Sequence, residues 1–460
     1  MVAASKPAPL SSSNSAADLL ELVWSQDLTR DHRFEPLEVE GTLPPSLRGT
    51  LYRNGPGQFG QFGVRYSHPF EADGATTAIR IGDGKATGAS HVHTTAGLVD
   101  ERAAGKLLYG LSVPWHKRIA NMVRGRDKNT ANTNIVAWQG RMFALMEAGK
   151  PTEISPDDLS TIGETDLGVI QGMFSAHPHR VASRKAIYNF GLQYGRKTKL
   201  HLYELPDVGA ARHLGAVELA AAVMLHDFIA TDTHLIFFVS PVRVNVPRAM
   251  LALGKFDQLF RWQPQHGTEV ICVSIDNPSE VVRFTTDSFY QWHFANAFSR
   301  GKQLVVDYVR YSTFDSFYDI GNRAHGDSLG VEGKYHRATI DLAARTLRSE
   351  QLSDRAAEFP TVRPGDEGRE HAIAYAVFDR MGAIGSIDAK GNVVAHDVPA
   401  DQLVSEPLYV DGHLLALCHM RDRAFVAVYD AARIAAGPIA KIWLDHHVPV
   451  TFHGTFVGAR

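Results

Sequence analysis

The sequence predicts an all-β protein, a single β-propeller with helical insertions. From Gly41 onward, short runs of β-branched and aromatic residues alternate with Gly, Asp, Asn and Pro, which is typical of strands and turns. Runs that begin near residues 140, 185 and 234 lie about 45 and 49 residues apart, a period that suits a four-stranded propeller blade. Strand and helix patterns do not alternate, so a parallel α/β sheet is not expected.

The N-terminal segment is predicted to precede the propeller as a disordered lead. Residues 1–20 are rich in Ala, Ser and Pro, and they lack the basic and apolar regions of a signal peptide. We therefore expect residues 21–460 to form a single β-propeller domain.

Two insertions have an amphipathic helical pattern. Trp115, Ile119 and Met122 follow Pro114 at helical spacing, and residues 247–260 carry a second apolar stripe among basic residues. Basic amphipathic helices can lie in a lipid interface, but they can equally pack on the propeller. Peripheral membrane contact through residues 115–123 and 247–260 is thus one of two open interpretations.

The blade pattern continues through the middle of the chain with one conflict and one gap. The Ala-rich residues 215–225 have good helix propensity, yet they lead directly into His226, so the repeat predicts an extended segment. The next interval between strand runs is about 68 residues, which predicts an insertion between residues 241 and 267.

Composition excludes several classes of protein. The formal net charge of −3 over 460 residues gives no electrostatic footprint for nucleic acid. Cys272 and Cys418, the two cysteines, lie in apolar runs and indicate buried thiols in a reducing compartment. No stretch approaches 18 uninterrupted apolar residues, so we expect a cytoplasmic protein that at most touches the inner membrane face.

Three histidines stand at the same offset ahead of three apolar strands. His177 and His226 lie 8 residues before the runs that begin at residues 185 and 234, and His293 lies 9 residues before the run at 302. Equivalent positions in radially arranged repeats meet at the axis, and converging imidazoles bind a metal. His453, where a propeller would close its ring, is a fourth candidate. Local zinc motifs of the CxxC or HExxH type are absent from the sequence.

Several ordered motifs over residues 41–460 resemble the carotenoid cleavage oxygenases, a family that includes apocarotenoid and lignostilbene dioxygenases. The matching segments are residues 41–57 (GTLPPSLRGTLYRNGPG), 68–70 (HPF) with 73–74 (DG), 131–134 (ANTN), 176–178 (AHP), 225–228 (LHDF), 292–298 (WHFANAF), 358–360 (EFP), 405–407 (SEP) and 452–456 (FHGTF).

The resemblance implies a seven-bladed propeller whose helical insertions cap the active-site face. It implies a non-haem Fe(II) on the axis, held by the four histidines His177, His226, His293 and His453. Glutamates of the family accept hydrogen bonds from such ligand histidines, and the matching positions are Glu147, Glu358 and Glu406. Glutamate is usually a solvated surface residue, which is the alternative for each. Thr133 matches a threonine whose methyl group crowds a vacant iron position in the family.

The implied activity is cleavage of one C=C bond by O2 to give two carbonyl products. Relatives that cleave stilbenes carry a lysine where this chain has Met146, and methionine cannot pair with a phenolate. An apolar polyene, a carotenoid or apocarotenoid, is therefore favoured over a stilbene, with O2 as co-substrate and Fe(II) as the cofactor. A non-catalytic propeller used as a binding module and a metal-dependent hydrolase stay open alternatives.

Overall fold

The computed structural model describes residues 16–110, 113–245, 248, 255–323 and 329–459, with Met122 described by its backbone only. Strands dominate these residues, and they form antiparallel four-stranded units that we call blades 1 to 7. The prediction of an all-β propeller is confirmed within the described ranges.

Each blade is a meander in which the chain runs outward from an inner strand. Blade 1 joins His453–Gly458 to Gly49–Gln58, Asp73–Gly82 and Lys85–Val92, and blade 2 consists of Asn134–Trp138, Arg141–Leu145, Thr152–Ile154 and Thr161–Glu164. Blade 3 consists of His179–Val181, Ala186–Gln193, Thr198–Pro206 and Arg212–Leu219, and blade 4 of Ile229–Ala230, His234–Val239, Thr268–Ser274 and Val281–Thr286.

Two strands each pair with two blades, one between blades 5 and 6 and the other between blades 7 and 1. Blade 5 consists of Phe294–Arg300, Gln303–Arg310, Lys334–Asp341 and the first part of Thr346–Val362, whose second part begins blade 6 with Ile373–Phe378, Ala383–Asp388 and Val393–Asp397. Blade 7 has an inner strand interrupted into Leu403–Val404 and Leu408–Val410, followed by His413–His419, Ala424–Asp430 and Pro438–Leu444. His32–Gly41 pairs with Lys85–Val92 of blade 1 and with Pro438–Leu444 of blade 7.

The ring closes in blade 1, where strands from distant parts of the sequence meet. His453–Gly458 pairs antiparallel with Gly49–Gln58 in a register that sets His453 opposite Asn54. The second strands of the blades are buried on both faces, as in Ala186–Gln193, where residues 186–192 are all buried. A sheet packed between two others has no solvent face, which explains why these strands appear in the sequence as continuous apolar runs.

The described residues also form four α-helices, two small ribbons and five short 3-10 turns. The helices are α1 (Ala16–Val23), α2 (Ala96–Ala104), α3 (Trp115–Val123) and α4 (Asp315–Arg323). The ribbons pair Gly60–Gln61 with Val64–Arg65 and Val242–Val244 with Phe260–Trp262. The 3-10 turns are Pro69–Glu71, Ala182–Arg184, Phe256–Leu259, Pro264–His266 and Ile434–Ala436.

Helix α1 corrects the predicted boundary of the disordered lead at residue 20. Leu19, Leu20 and Val23 are buried against an apolar cluster that includes Val450 and Phe452. Burial of these side chains stabilises a short helix that Ala-rich and Ser-rich surroundings obscured in the sequence. Residues 1–15 lie outside the described ranges.

The two predicted insertions and the extended segment can be placed in this fold. Residues 115–123 form α3 as expected, and Arg212–Leu219 is a strand, as the repeat predicted against helix propensity. The long interval contains the ribbon of Val242–Val244 and Phe260–Trp262, inserted between two strands of blade 4. The helix expected to begin at Pro247 lies largely outside the described residues, which show only the turn Phe256–Leu259 there. None of the described helices is long and apolar enough to span a bilayer.

Candidate metal centre and substrate cavity

All seven blades contribute a side chain to one point near the axis. The contributing residue lies in the inner strand of its blade or within three residues before it. From blade 1 to blade 7 these residues are His453, Thr133, His177, His226, His293, Glu358 and Glu406. The distance of 8 or 9 residues from each of His177, His226 and His293 to the next apolar run therefore covers the inner strand and the turn that leads to the second strand of the blade.

The four predicted histidines form one buried cluster. The ring of His177 lies 4.2 Å from that of His226, 5.4 Å from that of His293 and 4.8 Å from that of His453, measured between ring centroids. Ring nitrogens of His177, His226 and His293 lie within 4.8 Å of one another, and the ring of His453 joins this group 4.8 Å from that of His293. Such a set of side chains can hold a metal ion.

Each of the three predicted glutamates contacts a histidine of the cluster. Nδ1 of His293 donates to Oε2 of Glu358 over 2.5 Å, and Nδ1 of His453 donates to Oε1 of Glu406 over 2.8 Å. Nδ1 of His226 makes a close ion-pair contact with Oε1 of Glu147. A carboxylate only accepts, so Nδ1 carries the proton in the two hydrogen-bonded pairs, and Nε2 of His293 and of His453 keeps a lone pair for a metal.

Burial and the glutamates decide the charge state of these rings. Burial, together with repulsion from the neighbouring imidazoles, holds the pKa of His177 well below its usual value. Burial also favours a low pKa for His293, but the charge and hydrogen bond of Glu358 outweigh it and raise that pKa. Burial acts to raise the pKa of Glu358, yet the contact with His293 lowers it, so the carboxylate stays ionised.

Unsatisfied nitrogen atoms support a metal in this cluster. Nε2 of His177 and Nε2 of His226 are buried and have no hydrogen-bond partner. A buried polar atom without a partner costs about 1–3 kcal/mol, which a coordinated ion would remove. Imidazole nitrogen suits Fe, Zn, Cu and Ni alike, so the residues fit a transition metal without selecting one.

Two cavities meet beside the cluster. The smaller, about 60 Å³, is lined by His226, His293 and His453 together with Trp24, Phe359, Phe452 and residues of α4. The larger, about 960 Å³, has mainly apolar walls and includes Glu147, Met146, Tyr194, Leu225 and Phe256. Phe70 and Thr133 line both cavities, so the two adjoin at these residues, beside the cluster.

Thr133 is buried where the two cavities meet. Its hydroxyl donates to Oδ1 of Asn132 over 3.1 Å, and its backbone N–H donates to the carbonyl of Leu145 over 2.9 Å. These bonds fix the residue at the start of blade 2, next to the ligand path.

Arg53 is a residue of the site that sequence reasoning gave no role. Its side chain is 1% exposed, and Nη1 donates to Oε2 of Glu406 over 2.6 Å. Nη2 donates to the carbonyl of Phe452 over 3.0 Å, which ties the residue before His453 to the same guanidinium. Arg53 lies within a matching motif, but no local pattern distinguishes a buried arginine from an exposed one.

Tyr311 and Phe359 also hold the pair of His293 and Glu358. The hydroxyl of Tyr311 donates to Oε1 of Glu358 over 2.7 Å, and the ring of Phe359 stacks on that of His293 with centroids 4.9 Å apart. Phe359 has a φ of 51°, a left-handed conformation that is strained for a non-glycine residue. Strain of this kind is held by the surrounding structure and marks a fixed geometry.

Other histidines have structural partners away from the axis. His419 bonds Oγ of Ser405 and the carbonyl of Val448, as expected for a structural histidine. His93 bonds Oδ1 of Asn54 and Oγ1 of Thr76 inside blade 1. Both cysteines are buried and unpaired, as their apolar surroundings predicted.

Comparison with known proteins gives matches along nearly the whole chain. A model of the family described as retinal pigment epithelial membrane protein matches residues 26–458. Apocarotenoid-15,15'-oxygenase of Synechocystis is 32% identical over 477 residues, covering 94% of this chain and 96% of that protein. Isoeugenol monooxygenase of Pseudomonas putida is 23% identical and covers 91% of this chain and 93% of its own length.

Solved structures agree with the sequence matches. Cobalt-substituted Synechocystis apocarotenoid oxygenase superimposes with a TM-score of 0.86 at 29% identity, covering 96% of this chain and 98% of that one. This relative is a cobalt-substituted protein, so a protein of this architecture can hold a transition metal.

Proposed function

The chain belongs to the family of the retinal pigment epithelial membrane protein and the carotenoid cleavage oxygenases, and from this premise we propose a specific activity. It is a carotenoid cleavage oxygenase that uses Fe(II) and O2 to cleave one C=C bond of a carotenoid or apocarotenoid into two carbonyl products. The observation that carries this proposal is the convergence of four buried imidazoles, three of which line the smaller apolar cavity. Membership of an enzyme family argues against the non-catalytic binding module.

His177, His226, His293 and His453 would hold the iron through Nε2. Fe(II) supplies the activation of O2, which reacts only slowly with closed-shell alkenes by itself. Glu147, Glu358 and Glu406 orient three of the rings and make them better donors, since each accepts a hydrogen bond or charge contact at Nδ1.

Arg53 completes the charge balance of the centre. Neutral imidazoles leave the charge of a divalent ion at about +2. The three glutamate carboxylates together carry about −3, which leaves a net charge of about −1. The buried guanidinium of Arg53, bonded to Glu406, supplies the missing positive charge. The buried group as a whole is then neutral, which limits the cost of desolvating so many charges.

The cavity walls position an apolar substrate and keep water away from it. Phe70 and Thr133 stand where the two cavities meet, so an extended alkene that fills both presents one double bond to the cluster. Specificity then depends on how far the chain reaches into each cavity.

Met146 favours a polyene over a hydroxystilbene. The sulfur atom accepts from the backbone N–H of Thr130 over 3.1 Å, and the residue lines the larger cavity. A thioether neither carries charge nor donates a hydrogen bond, so it offers nothing to a phenolate.

The first experiment is O2 consumption by the Fe(II)-loaded protein with a polyene aldehyde and a hydroxystilbene tested side by side. We expect O2 uptake with the polyene and one aldehyde product per cleaved end. Uptake with the stilbene alone would keep the reaction and overturn the substrate. If protein that is shown to contain iron takes up no O2 with either substrate, the proposed function is wrong.

His226→Ala should abolish iron binding without unfolding the protein. The variant removes one imidazole from the centre of the cluster. Its buried Nε2 has no hydrogen-bond partner in the protein, so its loss removes a nitrogen that is free to bind a metal. Iron content is measured by metal analysis, and folding by circular dichroism and thermal unfolding. His266→Ala, at an exposed histidine of a 3-10 turn, is the matched control. Stoichiometric iron in the His226 variant would contradict the ligand assignment.

A further inference from the structure

A third cavity adjoins the large apolar cavity on the side of α3. It has a volume of about 390 Å³, and its wall carries three cationic side chains and two carboxylates besides neutral polar groups: Tyr66, Glu71, Tyr109, Arg118, Asn121, Arg126, Asp127 and Lys128. We call it the basic compartment. Phe70, Met146, Phe256 and Leu259 line both the basic compartment and the large cavity, so the two share a wall.

Most polar groups in the basic compartment are already paired. Nζ of Lys128 lies 2.7 Å from Oδ1 of Asp73 and 2.8 Å from Oε2 of Glu101. The hydroxyl of Tyr109 donates to Oδ2 of Asp100 over 2.9 Å. Lys128 and Tyr109 are therefore held by the protein and have little left to offer a ligand.

Arg118 differs from these groups. Its Nε and Nη1 atoms are buried yet have no hydrogen-bond partner. The nearby carboxylate of Glu71 attracts the guanidinium but accepts its hydrogen bonds from Ser67. Two N–H groups of Arg118 therefore stay without an acceptor, which is costly for a charged donor, and a ligand acceptor that bonds them gains correspondingly. Arg118 projects from α3, the helix that also supplies Asn121 to the wall.

The shape of a guanidinium decides which acceptor fits best. Two N–H groups of its planar fork match the two oxygens of a carboxylate, whereas an aldehyde or an alcohol offers a single oxygen. The neighbouring cavity is apolar, so the ligand joins a carboxylate to an apolar chain. We propose that Arg118 binds a terminal carboxylate of the substrate, which is then a polyene acid; this inference rests on the proposed function.

The position of the compartment gives the carboxylate a further role. Thr130 lines the basic compartment and Thr133 lies beside the cluster, so their Cα atoms are at most about 11 Å apart along the chain. A carboxylate anchored at Arg118 fixes how far the chain extends past Thr133. The anchor thereby selects which double bond reaches the metal centre.

Binding to the metal-free protein tests the anchor without any turnover. All-trans-retinoic acid and its methyl ester share one polyene and differ in the charged end, and their binding quenches tryptophan fluorescence. We expect the acid to bind roughly 10–100-fold more tightly than the ester, as a charged hydrogen-bonded pair contributes. Arg118→Gln should abolish this preference and leave ester binding unchanged.

Arg124→Gln is the matched control, because Arg124 is an exposed arginine of the turn that follows α3 and does not line the compartment. Equal binding of acid and ester by the unchanged protein would overturn the proposal. So would an Arg118→Gln variant that weakens both ligands equally, since that outcome indicates a structural role.

Turnover by the iron-loaded protein separates this inference from the proposed function. With the acid as substrate, Arg118→Gln should raise KM about tenfold or more and shift the cleaved bond, which is seen as a second pair of products. If the acid binds selectively but no alkene is cleaved, the proposed function fails while the carboxylate site stands. If acid and ester are cleaved equally well at one bond, the carboxylate site fails while the oxygenase stands.

Discussion

Glu147 contacts two ligand candidates at once, since Oε1 is in close contact with Nδ1 of His226 and 3.9 Å from Nε2 of His177. Glu147→Gln keeps the size and an acceptor oxygen but removes the charge. We expect Fe(II) affinity or turnover to fall by about 10–100-fold, measured by competition with a chelator and by O2 uptake. Glu153→Gln, in the same blade but paired with Arg141 near the surface, is the control. Equal affinity in the two variants would place Glu147 outside the working centre.

The residues around the centre differ in how well their roles follow from sequence. Three of the histidines are recognisable because blades 3, 4 and 5 repeat nearly the same distance from the histidine to the second strand, and His453 stands where the ring closes. Glu358 and Glu406 were identified through family motifs, and the structure adds why they are ionised. Arg53, Tyr311 and Phe359 act through tertiary contacts with residues far along the chain, so no local pattern marks them.

Helix α3 presents apolar side chains to solvent at the mouth of the basic compartment. Trp115 is 57% exposed and Val123 is 79% exposed, next to exposed Lys117 and Arg124. The double variant Trp115→Ser with Val123→Ser should lower binding to anionic phospholipid vesicles by about tenfold or more, because exposed apolar area is lost. Cosedimentation measures this. Val208→Ser, at an 88% exposed valine outside the helix, should bind like the unchanged protein.

The helices show where sequence patterns are too short to decide. Helix α4 contains Gly321 and Asn322, both poor helix formers, and it is stabilised by packing of Phe317 into an aromatic cluster with Trp292 and Phe314. Helix α1 has eight residues and depends on burial of its leucines. Both helices line or adjoin the smaller cavity. They are stabilised by contacts with residues distant in sequence, which a local sequence pattern does not contain.

At the scale of the whole molecule, buried neutral histidines make stability depend on pH. Burial lowers the pKa of His93 and of His419 to about 3. In the unfolded chain each of these imidazoles takes up a proton near pH 6.5. Above that pH both states are neutral at this residue, so it does not change the free energy of unfolding. Each then costs up to about 1.4 kcal/mol per pH unit as the pH falls toward 3.

His93→Gln should therefore flatten the pH dependence of the unfolding free energy between pH 6 and 4 by about 1.4 kcal/mol per pH unit. Urea unfolding of the metal-free protein at several pH values measures the slope, and the difference between variants cancels the contribution of the metal ligands. Parallel curves for the two proteins would show that His93 does not titrate between the folded and unfolded states.

The propeller and the place where its ring closes were predictable from the sequence, but the strand pairs that join its blades were not. Strand runs at a regular period predict blades, since each blade is one local meander of similar length. The strand Thr346–Val362 takes part in both blade 5 and blade 6. The strand His32–Gly41 pairs in the same way with blade 1 and with blade 7. The regular spacing of strand runs does not reveal such shared strands. Pairing of His453–Gly458 with Gly49–Gln58 depends on contacts across the full chain.

That closing pair of strands has a consequence for how the proposed metal site is assembled. Blades 3, 4 and 5 are consecutive and bring together three imidazoles as soon as they fold, but the fourth arrives only when His453–Gly458 docks beside Gly49–Gln58. Contacts between distant segments form late in folding because their loop-closure entropy is large. For the proposed metal site, an unclosed ring would offer only three histidines and therefore weaker binding, and tight retention of an ion would require completion of the ring.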